Sequence, residues 1–418
     1  MNAPVQFDPV EDAASTPLDQ IDVSDPRLYQ DDIWQPYFAR LRREAPVHWR
    51  ENGAYGSFWS VTRYDDILDV ETRHQEFSSQ AVLGGITIID PPMEYRRPSF
   101  ISMDPPKHTE QRRVVAPTFT PTNMAKMAVG IRERVTRILD ALPRNEVFDW
   151  VDLVSIETTT QMLATLFDFP FEERRRLTFW SDIATMDIHA GGVVDSFEKR
   201  QELLNECFHA MASLWNERVK QEPRPDLISM MAHSPGTQDL LNRPMEFLGN
   251  IVLLIVGGND TTRNSISGGL WALSQNQDQF RKLRENPALI PGLAQEAIRW
   301  QTPVIHMRRT ALVDTEIAGK RVRKGDKVVI WYVSGNHDEA AIERPDRFVI
   351  DRPKPRQHLS FGYGIHRCVG ARLAELQLTI LWEEILKRDL RIEVMDKPGR
   401  IYSNFINGIS SLPVRIAA

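Results

Sequence analysis

The sequence predicts a mainly α-helical molecule with small β-sheets, organised round one long central helix and closed by a last long helix. Three observations predict it. Helical patterning runs almost unbroken from Pro106 to Pro291. Within it, Leu248, Ile251, Val252, Leu254, Ile255 and Ile266 spread round most of a stretch from about Met245 to Gln275, the mark of a helix buried on most faces. After Trp300 the chain breaks into short β pieces and a proline-rich meander, and helical character returns only near the C-terminus.

Composition bounds the function. The 418 residues include 51 Lys and Arg against 57 Asp and Glu, a formal charge of −6, with 42% hydrophobic and 26% charged residues. That balance is globular and argues against disorder. An acidic chain also lacks the basic field a general nucleic-acid binder needs, so no nucleic-acid partner is expected. Cys207 and Cys368 form no disulfide framework and suit a reducing compartment. The N-terminus MNAPVQFDPVEDAASTPLDQ has neither a basic nor an apolar signal region. The apolar run Ile251 to Val256 is far below the roughly 20 residues that span a bilayer. A cytoplasmic monomer with no membrane span is expected.

The elements follow in order. Residues 1–24 read as a mobile or surface-draped tail, and residues 25–418 as a single domain. A helix is expected over Trp34 to Glu44, closed by Ala45-Pro46, then a hairpin in VHWRENGAYGSFWSVT turning at Asn52-Gly53. Phe77 to Pro106 is a long loop rich in Gly, Pro and isolated apolar residues, a length that points to function or disorder. Inside the central helix, Gly257-Gly258-Asn259-Asp260-Thr261-Thr262 introduces two glycines, each costing about 1 kcal/mol against alanine, and a charge. A loose spot in a core helix explains the glycines but not the Asp beside Thr; close approach or a local bulge is expected there. Short β pieces at Glu316 to Gly319 and Lys327 to Tyr332, the meander to Gln357, a helix from Val369 to Arg388 and a β-like tail complete the chain.

The decisive segment is Phe361-Gly362-Tyr363-Gly364-Ile365-His366-Arg367-Cys368-Val369-Gly370. Its glycines permit positive φ and close approach to a flat partner. Cys368 stands just before a helix, whose N-terminal amides and dipole favour the thiolate, and Gly370 keeps that first turn bare. Most lone buried cysteines are small hydrophobes, but a chance match to this pattern is on the order of one in a million. Cys207, without such a setting, reads as packing.

This segment resembles the haem-binding loop of the cytochromes P-450, the haem-thiolate monooxygenases, and the resemblance extends over the chain beyond its tail. It implies haem b with an axial thiolate from Cys368, set in a fold whose long central helix crosses a buried haem, with Phe361, Gly362, His366 and Gly370 against the cofactor. Glu296-Ala297-Ile298-Arg299 resembles the family's Glu-x-x-Arg pair, whose third member maps to Arg347; elsewhere such a pair is mostly a solvated helix face. Gly257 to Thr261 resembles the oxygen-activating kink, making Thr261 the hydroxyl that holds dioxygen and Asp260 the proton carrier, for a reaction that needs two protons in a dry site. His108 and Arg112, in MDPPKHTEQR, resemble a propionate-gripping pair, and Arg309 and His366 map to the other propionate contacts.

No dinucleotide-binding loop or fused reductase is visible, so electrons from NAD(P)H are expected through a separate [2Fe–2S] ferredoxin and its flavoprotein reductase. Arg352, Lys354, Arg356, Arg367 and Arg372, with no acid between them, are the candidate docking patch. The segments GGITIID, FISMDPPKH, GNIVLLIVGGNDTTRNS, WQTPVIHMRRTAL and KPRQHLSFGYGIHRC closely resemble the bacterial alkane hydroxylase branch, family 153, which oxidises terminal carbons of medium-chain alkanes and fatty acids. Family positions place Leu83, Ile86, Ile88, Ile89, Leu254, Val256, Gly258, Val304, Met307, Phe405 and Ile406 on the substrate pocket. Such aliphatic walls suit an apolar linear substrate. A methyl C–H bond is stronger than a methylene one, so terminal attack requires a channel that presents the chain end. Arg96 and Arg97 are candidates to hold a carboxylate at its mouth, although a solvated pair is the plainer reading. A terpene or steroid substrate is the alternative for the same chemistry. A peroxygenase is disfavoured by Asp260-Thr261, and a haem sensor or electron carrier by the lack of a second axial ligand.

Overall fold

The computed structural model describes residues 7–417. The central helix runs Pro244–Gln275, 32 residues, or about 48 Å at 1.5 Å per residue. Helices Glu157–Phe167, Arg175–Thr185, Ile290–Gln301 and Ala371–Lys387 pack against it. Apolar residues round most of its circumference give it partners on most sides, and Trp150, Trp180, Trp215 and Trp382 sit in the same core. The backbone stays helical through residues 257–262; no bulge forms, because the two glycines face a cavity and a neighbouring helix.

A five-stranded sheet stands beside this helical body, in the order Val47–Gly53, Gly56–Val61, Lys327–Ile330, Met307–Ala311, Phe77–Ser78. All its pairings are antiparallel except that of Gly56–Val61 with Lys327–Ile330. The hairpin turns later than expected: Asn52 adopts φ 50° beside a register shift, and Gly53 pairs with Gly56 round Ala54 and Tyr55. Pro413–Ile416 pairs with both Val147–Asp149 and Ile392–Val394, tying the chain's end to its middle.

The N-terminal segment is anchored. Pro9–Ser15 is a helix, and Ala13, Ile21 and Val23 are buried in a cluster with Trp34, Phe38 and Trp331. Arg40 Nη1 donates to the carbonyls of Ala13, Ala14 and Thr16. Among the described residues no helix is long and apolar enough to cross a membrane.

Candidate functional site: a cysteine-floored cavity under the central helix

One cavity of about 410 Å³ lies between the central helix, the loop 81–102, the cysteine loop and the turn at residues 404–406. Cys368 opens into it. Two backbone hydrogen bonds shape the cysteine loop, Cys368 N to Phe361 O and Gly362 N to Leu359 O, both 2.8 Å. Gly362 and Gly364 take φ 63°, a region where a side chain is strained; a Cβ on Gly364 would also collide with the Glu71 carbonyl. A Cβ on Gly370 would stand 4.0 Å from Cys368 Sγ. Burial pushes the Cys368 thiol up, while the Gly370 and Ala371 amides and the charges of Arg112 and Arg367 pull it down. Burial outweighs these pulls in the protein alone.

The four expected propionate contacts converge here. The His108 and His366 rings lie 4.5 Å apart. His108 is buried with neither ring nitrogen partnered, and His366 Nδ1 is unpartnered while Nε2 meets Ser79 Oγ at 2.7 Å. Burial, with the neighbouring Arg112, pulls His108 down to about 4. Arg112 Nη2 donates to the Arg367 carbonyl, and Arg309 Nη2 to Glu71 Oε1 at 2.9 Å. Orphaned ring nitrogens beside two guanidinium groups are what buried carboxylates need. Bare glycines at 257 and 370 leave room for a flat ring next to Cys368. The residues fit haem b, and no group of three or more His, Cys, Asp and Glu among the described residues would hold a bare metal ion instead. Glu71, which also accepts from Tyr332 OH at 2.6 Å, had no sequence signal; it is one acid on the surface-patterned helix Tyr64–Thr72.

Thr261 faces the cavity and donates to Gly257 O at 2.9 Å. A Cβ on Gly257 would meet nothing within 4 Å, whereas one on Gly258 would lie 2.6 Å from Leu163 Cδ2. Gly258, expected as a substrate gate, lines the cavity and also permits close packing against Leu163, while Gly257 supplies the bare wall. Asp260 turns away from the cavity and is fully buried. Its Oδ1 accepts from Arg263 Nη2 at 2.6 Å, and its Oδ2 from Ser181 and Thr185 hydroxyls at 3.1 and 3.3 Å. Arg263 Nη2 also donates to Asp182 Oδ1 at 2.9 Å, and Asp182 is 44% exposed. Burial pushes the Asp260 carboxyl up against the pull of Arg263.

The brace beneath the cysteine loop differs from expectation in one member. Arg299 binds Glu296 through Nε at 2.8 Å and Nη2 at 2.7 Å, both residues buried. The third member is Arg352, whose Nε meets Glu296 Oε2 at 2.8 Å. Arg347 contributes only its backbone carbonyl, at 3.2 Å from Arg299 Nη2; its side chain is 73% exposed. The meander turns Arg347 outward and brings Arg352 in. The expected docking patch shrinks accordingly. Arg352 is in the brace and Arg356 pairs with Glu375, leaving Lys354, Arg367 and Arg372 exposed without an ion-pair partner among the described residues.

Leu254, Val256, Val304, Met307, Phe405 and Ile406 line the cavity. Leu83 and Ile88 do not. Leu83 is exposed, and Ile88 is buried in a different core with Ile305 and Trp331; Ile86 and Ile89 take the wall positions. The loop's path is held by its carbonyls: Arg308 and Thr310 donate to Leu83 O, Lys327 to Ile88 O, and Arg96 to Ala81, Val82 and Pro91. Tyr95 and Phe197, stacked 6.1 Å apart, and Arg200 also line the cavity without having shown any sequence pattern. Cys207 is fully buried in the main core, and burial pushes its thiol up.

The comparisons agree with this site. The family model described as Cytochrome P450 matches residues 30–414. The structure of cytochrome P450-153 from Novosphingobium aromaticivorans is 48% identical, covering 94% of this chain and 99% of its own, with TM-score 0.89. CYP153D17 from Sphingomonas sp. PAMC 26605 is 50% identical, covering 96% and 100%, with TM-score 0.90. Among characterised relatives, linalool 8-monooxygenase of Pseudomonas putida is 36% identical over 95% of this chain and 99% of its own. A methyl-branched lipid omega-hydroxylase of Mycobacterium bovis is 31% identical over 96% of each chain. With a cysteine loop, a glycine-faced central helix and a cluster of propionate partners already in place, these likenesses over nearly the whole length establish that the chain belongs to the cytochrome P450 family, as a haem-thiolate monooxygenase of the 153 branch.

Proposed function

We propose that the chain hydroxylates the terminal carbon of medium-chain linear alkanes or fatty acids, with electrons from a [2Fe–2S] ferredoxin and its flavoprotein reductase, in the cytoplasm. When bound, haem b supplies the oxygen activation and electron transfer that no side chain provides. The protein's own residues do the rest. Cys368 would hold the haem through its sulfur, His108, Arg112, Arg309 and His366 would hold the propionates, and Glu296, Arg299 and Arg352 fix the loop that carries Cys368. Thr261 would present its hydroxyl to the oxygen bound there, from the central helix that lines the cavity. Asp260, bridged through Arg263 to half-exposed Asp182, relays protons inward while apolar walls exclude bulk water.

The observation that supports a linear substrate is the wall above Cys368: Leu254, Val256, Val304, Met307, Phe405 and Ile406 present aliphatic or aromatic surface and no charge. A ligand gripped only by such surface is oriented by shape, which favours a chain entering end-first. Likeness to the 153 branch supports the same reading. The relatives that oxidise linalool and methyl-branched lipids support a competing one, a branched chain. Lys354, Arg367 and Arg372 beside the cysteine loop support an acidic redox partner.

The test is a competition. Purified protein receives a surrogate ferredoxin, its reductase and NADH, then octane, dodecanoic acid, linalool and a steroid together. Terminal hydroxylation of the linear compounds is expected. Preferred turnover of linalool or the steroid, or subterminal products from the linear pair, would overturn the reading.

A further inference from the structure

The loop 81–102 brings two adjacent arginines to the cavity and treats them differently. Arg96 is occupied, its guanidinium bonded to the carbonyls of Pro91, Ala81 and Val82. Arg97 also lines the cavity, yet its side chain makes one hydrogen bond, Nη1 to Gln201 Oε1 at 3.2 Å. Among the described residues no carboxylate pairs with it. A guanidinium carries five donors, and a cation sunk in apolar surroundings without a counter-charge is unfavourable. A second cation deepens the deficit. Arg200, on helix Phe197–Arg218, lines the same part of the cavity, donating to Ile183 O at 3.3 Å and to Met186 O. Burial and the Arg200 charge pull Arg97 down to about 10, which leaves it protonated at neutral pH. Asp187 supports the charge of Arg200 without pairing with it; no carboxylate supports Arg97 in the same way.

Arg97 also stands well away from the cysteine. A Cβ on Gly249 would lie 2.9 Å from the Arg97 carbonyl, so this part of the loop is seated at Gly249 of the central helix. Gly249 precedes Gly257, the bare position facing the reaction end, by eight residues, about 12 Å of helix. Between them lies the aliphatic wall. An extended chain advances about 1.2 Å per bond, so about ten bonds cover that span.

We propose that Arg97, reinforced by the positive field of Arg200, binds the carboxylate of a linear medium-chain fatty acid whose methyl end lies over Cys368, and so sets both substrate class and the carbon presented. This rests on the linear-substrate reading above and decides within it for acids over alkanes. Arg97 is a binding residue; it takes no part in bond breaking.

The experiment measures affinity in the haem-loaded protein. Dodecanoate and dodecane are titrated into the native chain and into R97Q, R97K and R96Q, following the haem absorption change on ligand entry; an unaltered haem-thiolate spectrum reports an assembled site. The dodecanoate-to-dodecane affinity ratio is expected to fall roughly 10- to 100-fold in R97Q, as befits loss of a charge-assisted bidentate contact. R97K should recover part of it, and R96Q should hold the native ratio within about threefold. An unchanged ratio in R97Q, or an equal fall in R96Q, would overturn the assignment. If neither linear compound binds the native protein while linalool or a steroid does, the linear-substrate reading itself fails, a result separable from failure at Arg97.

Discussion

On the cysteine side of the cavity, ten consecutive residues carry the loop, Gly362 and Gly364 at φ 63° and the thiol, and a Glu296–Arg299–Arg352 cluster holds them from behind. On the opposite side, the wall is gathered from the loop 81–102, helices 175–185 and 197–218, and the turn at residues 404–406. The first wall satisfies one demand, holding a flat cofactor by one sulfur and two carboxylates, and that demand specifies residue types at fixed spacing. The second must only be apolar and correctly shaped, and many residue combinations meet that condition. A substitution on the cysteine side should therefore change whether the enzyme works, and one on the loop side what it works on.

Six substitutions press on that contrast. Cys368→Ala should abolish the haem-thiolate spectrum outright, since the other cysteine is buried in the core; a surviving spectrum would refute the ligand. Asp260→Asn keeps shape but cannot relay a proton, and product formation should slow roughly 10²- to 10⁴-fold with haem content unchanged. Native turnover in that variant would leave proton delivery to another group. Arg352→Ala removes one partner of a buried carboxylate and should cost of the order of 3 kcal/mol of stability. Arg347→Ala should stay within about 0.5 kcal/mol; thermal unfolding of both variants decides which arginine braces the loop. Ile88→Ala should destabilise by about 2–5 kcal/mol through an unfilled core position, and Leu83→Ala by no more than about 0.5 kcal/mol. Neither should shift the product pattern. A changed regiochemistry from either would return it to the pocket wall.

The same contrast explains what could be read from the amino-acid sequence. The long helix, the small sheets and the cysteine loop were legible because period, glycine placement and contiguous motif each leave local traces. Asp260 was legible as a residue, but not its link through Arg263 to Asp182, 78 positions earlier, because such a contact is made by helix packing. Arg347 was misassigned for a related reason: in a meander without periodicity, the chain's path decides which arginine turns inward. Leu83 and Ile88 were misplaced because alternating facing cannot be inferred where no strand exists, whereas Ile86 and Ile89 of the same loop do face the cavity. Glu71 and Arg200 left no trace, being ordinary charged residues on ordinary helices.

The loop that forms the substrate wall is fastened by its backbone. Arg308, Thr310 and Lys327 grip its carbonyls from the sheet, and Gly249 offers a bare notch where a Cβ would collide with Pro98 O. Every residue type has the same carbonyl, so these fastenings are indifferent to which side chains the loop displays. Positions such as Ile86 and Tyr95, which line the cavity, can therefore change without unseating the loop, while the notch, the gripping side chains and the loop's own Ile88, Asp90 and Arg96 stay fixed. Such a division lets a lineage wander among hydrophobic substrates through single inherited changes, each tested against new compounds on a scaffold that does not have to be rebuilt.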